Sequence, residues 1–277
     1  MTMPGPARGG GLLGDLADLV LPAPCAGCEA ERVPLRYGVC ALCAARLEAL
    51  RCFRTAPDPM PPGLPSCVAV GAYEGALRGA LLAYKERGRH RLAEPLGRLL
   101  ATAVAALAPR GLPVTLVPVP STAAAARERH GDHMLRLATH AARRLREAGW
   151  EAGISRRLEA LPRPDSTSLS VADRRAAAED SLRIRRARIG IPRRVAARKG
   201  TLVVVDDIVT TGATLAAVTR RLEEAKMQVD GAAVLAATRL RRPSAAGFAG
   251  FPPDGTQKVN LGHPVSPTRG DAEASAR

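Results

Sequence analysis

The sequence predicts an α/β fold with a mostly parallel sheet flanked by helices. Residues 201–205 form a short, fully apolar, β-branched run, as expected of a strand buried on both faces of a parallel sheet. A helical pattern over residues 213–226 and a further apolar run over residues 232–237 follow it. Because this order is strand, helix, strand, we expect the two strands to lie parallel in one sheet.

Other elements are predicted ahead of this unit from their periodicity and from the glycine and proline residues that bound them. In chain order they are a short amphipathic helix at 12–21, a strand over 68–73, two helices over 76–108, a strand over 114–120 and a helix over 133–148. Gly88 marks the hinge between the two helices, and Gly149 closes the last one. Residues 155–182 indicate a long polar loop with a helical piece.

Composition divides the chain into four parts. Residues 1–11 are rich in glycine and proline and are expected to be disordered, as is the polar tail at 241–277. A cysteine-rich segment at 12–67 and an α/β domain at 68–240 lie between them. The sequence has no apolar run long enough for a membrane span and no pattern typical of a signal peptide, so we expect a cytoplasmic protein. In that compartment cysteines are metal ligands or free thiols before they are disulfides.

The chain is strongly basic, with 41 Lys and Arg against 26 Asp and Glu and a net charge of +15. This favours anionic partners such as nucleic acid or phosphates. The alternative is a compositional bias toward Ala, Arg, Gly and Pro. Residues 183–199 contain eight basic residues and no acidic one. Aromatic residues make up only 3% of the chain, so few platforms are available for base stacking.

Four cysteines stand in two CxxC pairs, Cys25–Cys28 and Cys40–Cys43, with eleven residues between the pairs. Each pair can supply two corners of a tetrahedron, so the two pairs together predict a closed, structural zinc site. The alternatives are a redox CxxC or unrelated thiols. Cys52 and Cys67 lie outside the pattern and are expected to be small buried hydrophobes, or else a substitute or additional ligand.

The most informative stretch combines two acids, three threonines and a glycine after the strand at 201–205. Asp206 and Asp207 follow the strand, and residues 210–214 (TTGAT) lead into the helix. Backbone N–H groups of such a loop and of a helix N-terminus attract an anion. Two carboxylates there need hydroxyls, a cation or a metal. A ribose 5-phosphate with Mg²⁺ meets both needs, whereas a simple turn with a threonine cap explains only one threonine.

This stretch resembles the 5-phosphoribosyl 1-pyrophosphate (PRPP) motif of type I phosphoribosyltransferases. With the cysteine pairs in front of it, the chain from about residue 12 to residue 239 resembles the ComF family. These are phosphoribosyltransferase-like proteins, some of them linked to DNA uptake in natural transformation (competence). The other matching segments are residues 73–78 (YEGALR) with Lys85, residues 117–121 (VPVPS), residues 127–133 and residues 169–174.

The resemblance implies a role for each matching position. Asp206 and Asp207 are the candidate catalytic groups and would bind the ribose 2′- and 3′-hydroxyls, directly or through Mg²⁺. The loop that follows the strand at 114–120, including Thr122, would bind pyrophosphate with the help of cationic side chains. The alternative for each of these cations is that it is only a solvated charge on the surface. The residues expected to contact PRPP are Asp206, Asp207, Thr210, Thr211, Gly212, Ala213, Thr214, Pro120, Ser121, Lys85, Arg127, Arg129 and Arg174.

The sequence departs from the family pattern in places that bear on the acceptor pocket. The family usually has Arg-Gly, an aromatic residue and Asn where this chain has residues 129–133 (RHGDH). A Gln and an Asn of the downstream loop are replaced by Ser166 and Ala177, and only Cys52 remains of a third CxxC pair. His130 and His133 are candidate proton-transfer groups, or else polar loop residues.

Three hypotheses follow. The first is a phosphoribosyltransferase, a pentosyl-transferring glycosyltransferase with structural zinc and PRPP-bound Mg²⁺, whose acceptor the sequence does not identify. The second is a non-catalytic factor in DNA uptake that binds single-stranded DNA. The third is an interaction module that docks through the zinc segment.

Overall fold

The computed structural model describes residues 23–128, 131–161, 182–184 and 200–238. The predictions for residues 1–11, the helix at 12–21 and the tail at 241–277 lie outside the described residues. All elements below belong to one compact unit, Met1–Arg242, and the boundaries predicted at residues 67 and 240 stay predictions.

The described residues form ten strands and six α-helices. The strands are β1 (Leu35–Arg36), β2 (Val39–Cys40), β3 (Phe53–Thr55), β4 (Cys67–Ala72), β5 (Val114–Pro118), β6 (Ala152–Ile154), β7 (Leu158–Ala160), β8 (Leu182–Ile184), β9 (Thr201–Val209) and β10 (Gly231–Ala237). The helices are α1 (Ala41–Glu48), α2 (Gly75–Glu86), α3 (Ala93–Ala105), α4 (Ala123–Glu128), α5 (His133–Glu147) and α6 (Ala213–Glu224), and a 3₁₀ turn (His90–Leu92) joins α2 to α3.

The central sheet confirms the predicted fold class. Six strands lie in the order β3-β4-β10-β9-β5-β6, and every neighbouring pair is parallel except β3 with β4. The valines of β9 alternate between two apolar clusters, as a strand covered on both faces requires: Val203 and Val205 belong to one cluster and Val204 to the other. Helices α2, α3 and α5 cover the first face, and α6 covers the second.

The cysteine-rich segment packs directly onto α2. Its buried residues Cys25, Ala26 and Cys43 belong to the same apolar cluster as the helices of the first face. The backbone approach is closest at Gly79, where a Cβ would lie 2.5 Å from the carbonyl oxygen of Ala26 and 2.7 Å from that of Gly27. Only a glycine on α2 therefore permits this contact.

Replacing Gly79 with alanine is expected to destabilise the protein by about 1–3 kcal/mol, because the added methyl group must displace backbone atoms. Chemical denaturation measures the change. Gly153→Ala is the matched control, since a Cβ there meets no atom within 4 Å. A Gly79→Ala variant as stable as Gly153→Ala would contradict the tight packing of the segment on α2.

Two predictions about the polar part of the chain need correction. The first concerns residues 155–182, whose ends form a small antiparallel pair, β7 with β8, instead of a loop. Each strand has only three residues, too few for a periodic signal, and an ion pair of 3.0 Å between Arg183 and Glu159 joins them. The predicted helical piece, and the basic run beyond residue 184, lie outside the described residues.

The second correction concerns the length of β9, which was predicted to end at residue 205. The strand continues to Val209, so Asp206 and Asp207 lie within it. Its ladder with β10 extends through the pairs Ile208–Ala236 and Val209–Ala237. Pairing with β10 therefore keeps the backbone of Asp206 and Asp207 in the sheet, although their side chains are polar.

Candidate functional site

The two loops predicted to hold the ligand lie at a topological switch point of the sheet. From β9 the chain passes through α6 to β10 on one side, and from β5 it passes through α4 and α5 to β6 on the other. Because β5 and β9 are neighbours, their carboxyl ends open a crevice where the connections diverge. Ligands of open α/β sheets bind in such crevices.

Asp206 and Asp207 face opposite sides of the sheet at this crevice. Successive side chains of a strand alternate, so Asp206 shares the face of Val204 with α6, and Asp207 shares the face of Val205 with α2 and α5. The backbone N–H of Asp207 donates to Oδ1 of Asp206 at 2.9 Å. The two carboxylates thus have different surroundings, which allows them different roles.

Asp207 is buried beside two side chains, of which Lys85 carries the opposite charge. Its Oδ2 lies 2.7 Å from Nζ of Lys85, at the end of α2, and 3.4 Å from Nε2 of His133, at the start of α5. Burial opposes ionisation, but the contacts with His133 and Lys85 outweigh it and lower the pKa of Asp207. Lys85 is therefore the cation that the acidic pair was expected to need.

Asp206 has the opposite electrostatic situation. Burial, followed by the negative charge of Asp207, raises the pKa of Asp206. The residue is only partly covered and lies beside the loop that follows β9. In the free protein this carboxyl group resists ionisation, which suits it to bind ligand hydroxyls. It also suits a metal ion, whose positive charge would compensate the negative charge of the ionised group.

The loop after β9 has the form of an anion cradle. Thr210 and Thr211 are exposed, and Gly212 stands in the left-handed region with φ of 72° immediately before α6. The first N–H groups of a helix have no partner within the helix and attract anions. A Cβ at Gly212 would lie 3.0 Å from Pro57 and 3.1 Å from Leu64, so glycine also lets the loop at residues 56–66 approach the cradle.

The loop after β5 faces this cradle across the crevice. Ser121 Oγ lies 3.1 Å from Nδ1 of His133, and the hydroxyl of Thr122 accepts a hydrogen bond from the N–H of Ala125 at 3.2 Å. The N–H of Val119 donates to the carbonyl of Val205 at 2.9 Å, which keeps β5 joined to β9 up to the loop. The predicted pyrophosphate loop therefore lies next to the acidic pair.

The comparison with known proteins bears on this site. The family model of the phosphoribosyl transferase domain matches residues 166–261 of the chain, a range that includes β9, the cradle, α6 and β10. The chain has a phosphoribosyltransferase-like domain. No curated protein matches the sequence significantly. The matched range contains the acidic pair and the cradle, and Lys85 and Ser121 lie before it in the chain.

The described residues bring most of the predicted ligand contacts to the same end of the sheet. Lys85 contacts Asp207 directly, and Ser121 is linked to Asp207 through His133. Arg127, in contrast, is exposed on α4. Arg129, His130 and Arg174 lie outside the described residues. Tyr84 also belongs to this site, because its hydroxyl donates to the carbonyl of His133 at 2.8 Å, and its position next to Lys85 is the only signal for it in the sequence.

The four cysteines of the CxxC pairs form a separate cluster. All four Sγ atoms lie within 4.8 Å of one another, and those of Cys28 and Cys40 are 3.8 Å apart. A tetrahedral zinc ion with Zn–S bonds of about 2.3 Å requires sulfur separations of about 3.8 Å. The cluster therefore fits a zinc ion with four protein ligands and no open coordination position.

Backbone hydrogen bonds within the cluster favour the thiolate form of Cys25, the form that binds a metal. The N–H of Cys40 donates to Sγ of Cys25 at 3.2 Å, and the N–H of Gly27 donates to it at 3.4 Å. Burial opposes ionisation of Cys25, but these backbone contacts outweigh it and lower the pKa of its thiol to about 6. Burial and the neighbouring thiols raise the pKa of Cys43, so its proton would leave when the metal binds.

Proposed function

We propose that the protein binds PRPP with Mg²⁺ in the crevice between β5 and β9 and transfers ribose 5-phosphate to an acceptor. The observation that carries this proposal is the arrangement of the acidic pair between the cradle after β9 and the loop after β5. The 5-phosphate would bind the N–H groups of residues 210–214, and the pyrophosphate would bind the loop at residues 120–122. The family match at residues 166–261 supports the same assignment.

Each group in the crevice suits one part of this ligand. The carboxyl groups of Asp206 and Asp207 would bind the ribose hydroxyls or Mg²⁺, which prefers oxygen ligands. Lys85 lies beside them and would neutralise pyrophosphate oxygens. In the transfer, the bond between C1 and the pyrophosphate oxygen breaks and its electron pair leaves with pyrophosphate, while the acceptor's lone pair forms the new bond to C1 and the acceptor releases a proton to water. The protein contributes position and charge neutralisation to this step.

Asp206→Asn is expected to abolish measurable binding of PRPP with Mg²⁺ in titration calorimetry while raising the melting temperature of the free protein. The stability gain follows from the raised pKa of Asp206, because an amide avoids the cost of burying a carboxyl group that is ionised when unfolded. This cost is present where the unfolded carboxyl is ionised, above about pH 4. A variant that is stabler but does not bind excludes misfolding as the cause.

Asp230→Asn is the matched control, because Asp230 lies at the amino ends of β9 and β10, away from the crevice, where it accepts from the N–H of Leu202 at 2.7 Å. It should bind PRPP as the wild type does. Undiminished binding by Asp206→Asn would remove the acidic pair from the proposal. If PRPP binds but no base or amine acceptor releases pyrophosphate, the protein is a PRPP-binding protein and not a transferase.

The second candidate is a ComF-like factor that binds single-stranded DNA. The net charge of +15 and the acid-free run at residues 183–199 favour it. Among the described residues, no helix is long and apolar enough to cross a bilayer.

Replacing Arg185, Arg186, Arg193 and Arg194 together with alanine is expected to weaken DNA binding and to flatten its salt dependence. Each phosphate contact with a single strand contributes a slope of about 0.7 in a plot of log affinity against log salt concentration. Fluorescence anisotropy at several salt concentrations measures this slope. Arg98→Ala and Arg220→Ala, made together, serve as the control, and an unchanged slope in the quadruple variant would exclude the run.

A further inference from the structure

One side chain joins the two halves of the crevice through both of its ring nitrogens. His133 Nδ1 lies 3.1 Å from Oγ of Ser121 in the loop after β5, and its Nε2 lies 3.4 Å from Oδ2 of Asp207 in β9. The side chain is only 9% exposed, so water competes little for either contact. The ring thus spans the switch point at which the two chain connections diverge.

The partners determine which nitrogen of a neutral ring carries the hydrogen. A carboxylate has no hydrogen to donate, so the hydrogen of a neutral ring lies on Nε2, which contacts Asp207 at 3.4 Å, and the lone pair of Nδ1 accepts from the hydroxyl of Ser121. The hydroxyl hydrogen of Ser121 is then directed at His133 and not at a ligand. Ser121 acts in this arrangement as the anchor of its loop, whose backbone N–H groups remain for an anion.

The backbone at His133 is held by contacts that do not involve its ring. Oδ1 of Asp132 accepts from the N–H of Leu135 at 3.0 Å and caps α5, and the hydroxyl of Tyr84 donates to the carbonyl of His133 at 2.8 Å. Burial raises the pKa of Tyr84 to about 12, so its hydroxyl stays a donor. A substitution of the ring therefore leaves the start of α5 capped and attached to α2.

We propose that His133 is a positioning residue that couples the pyrophosphate loop to the ribose-binding carboxylate. A ligand that contacts both halves of the crevice then binds more tightly than the separate affinities of ribose 5-phosphate and pyrophosphate would predict. This inference rests on the proposed function, since it assumes that PRPP spans the crevice. A ligand that reaches only one half gains nothing from the link. PRPP gains because His133 holds Ser121 and Asp207 at a fixed separation before binding.

Two conservative substitutions each keep one end of the link. The amide nitrogen of glutamine can replace Nε2 and keep the contact with Asp207, and the amide of asparagine can replace Nδ1 and keep the contact with Ser121. We expect each variant to weaken PRPP binding about tenfold, the effect of losing one polar contact inside the crevice. Ribose 5-phosphate and pyrophosphate, measured separately by calorimetry with Mg²⁺, should change about twofold or less.

Ser121→Ala tests the link from its other end. It should reproduce the loss caused by His133→Gln, and the double variant should lose no more than either one, because both remove the same contact. Equal weakening of all three ligands would show that His133 is merely structural and would overturn the inference. Unchanged PRPP affinity in both histidine variants would also overturn it. If the wild type binds neither PRPP nor ribose 5-phosphate, the proposed function fails, and the coupling fails with it.

Discussion

Replacing Cys43 with serine is expected to remove zinc from the protein and to unfold its N-terminal segment. The Cys43 side chain is fully buried at the centre of the thiol cluster and belongs to the apolar cluster that covers α2. A structural zinc site contributes on the order of 10 kcal/mol to folding, more than the few kcal/mol by which a domain is usually stable. The strands of the segment add little, since β1 and β2 contain two residues each.

Elemental analysis of the purified protein should find one zinc ion per chain in the wild type, and thermal melting should show a large loss of stability in Cys43→Ser. Cys52→Ser is the matched control. Its thiol lies outside the cluster, 3.3 Å from the hydroxyl of Thr102, and a serine can keep that hydrogen bond. A wild-type protein without zinc, or a Cys43→Ser variant as stable as Cys52→Ser, would show that the four thiols do not hold a structural metal.

The sequence predicts the parts of this fold whose signals are local. The β-branched run of β9, the helical pattern of α6 and the spacing of the CxxC pairs each lie within a short stretch of chain, and the structure confirms the sheet and the grouping of the four thiols. The short strands β6, β7 and β8 escaped prediction because three residues give no periodicity. Their pairing depends on partners distant in the sequence.

The internal contacts of the candidate site could not be predicted from the sequence, for a related reason. The acidic pair indicated that a cation was needed, but nothing in the sequence showed that Lys85 would supply it from the end of α2. That contact arises because α2 and β9 meet on one face of the sheet. The link from Ser121 through His133 to Asp207 likewise joins three separate elements. Residue types predicted the chemistry of the site, and the topology determined the pairing.

Replacing Lys85 with methionine is expected to destabilise the free protein by about 2–3 kcal/mol and to lower its melting temperature by roughly 5–10 °C. Removing one partner of a buried ion pair costs about 3–5 kcal/mol because the other charge is left unpaired. We expect less here because the Lys85 side chain is 29% exposed and His133 still contacts Asp207. Lys226→Met, in an exposed turn, is the matched control and should change stability little.

A second substitution shows whether the effect arises from the pair. Asp207→Asn removes the charge that Lys85 neutralises, so adding it to Lys85→Met should restore part of the lost stability, which urea denaturation of the four proteins in the cycle measures. The pKa of Asp207 is lowered in the folded protein, so its contribution is present above about pH 4 and is lost as the pH falls further. The difference between the wild type and Lys85→Met should shrink in the same range. Strictly additive losses, or a difference that does not depend on pH, would show that Lys85 stabilises the protein by packing and not as the counter-ion of Asp207.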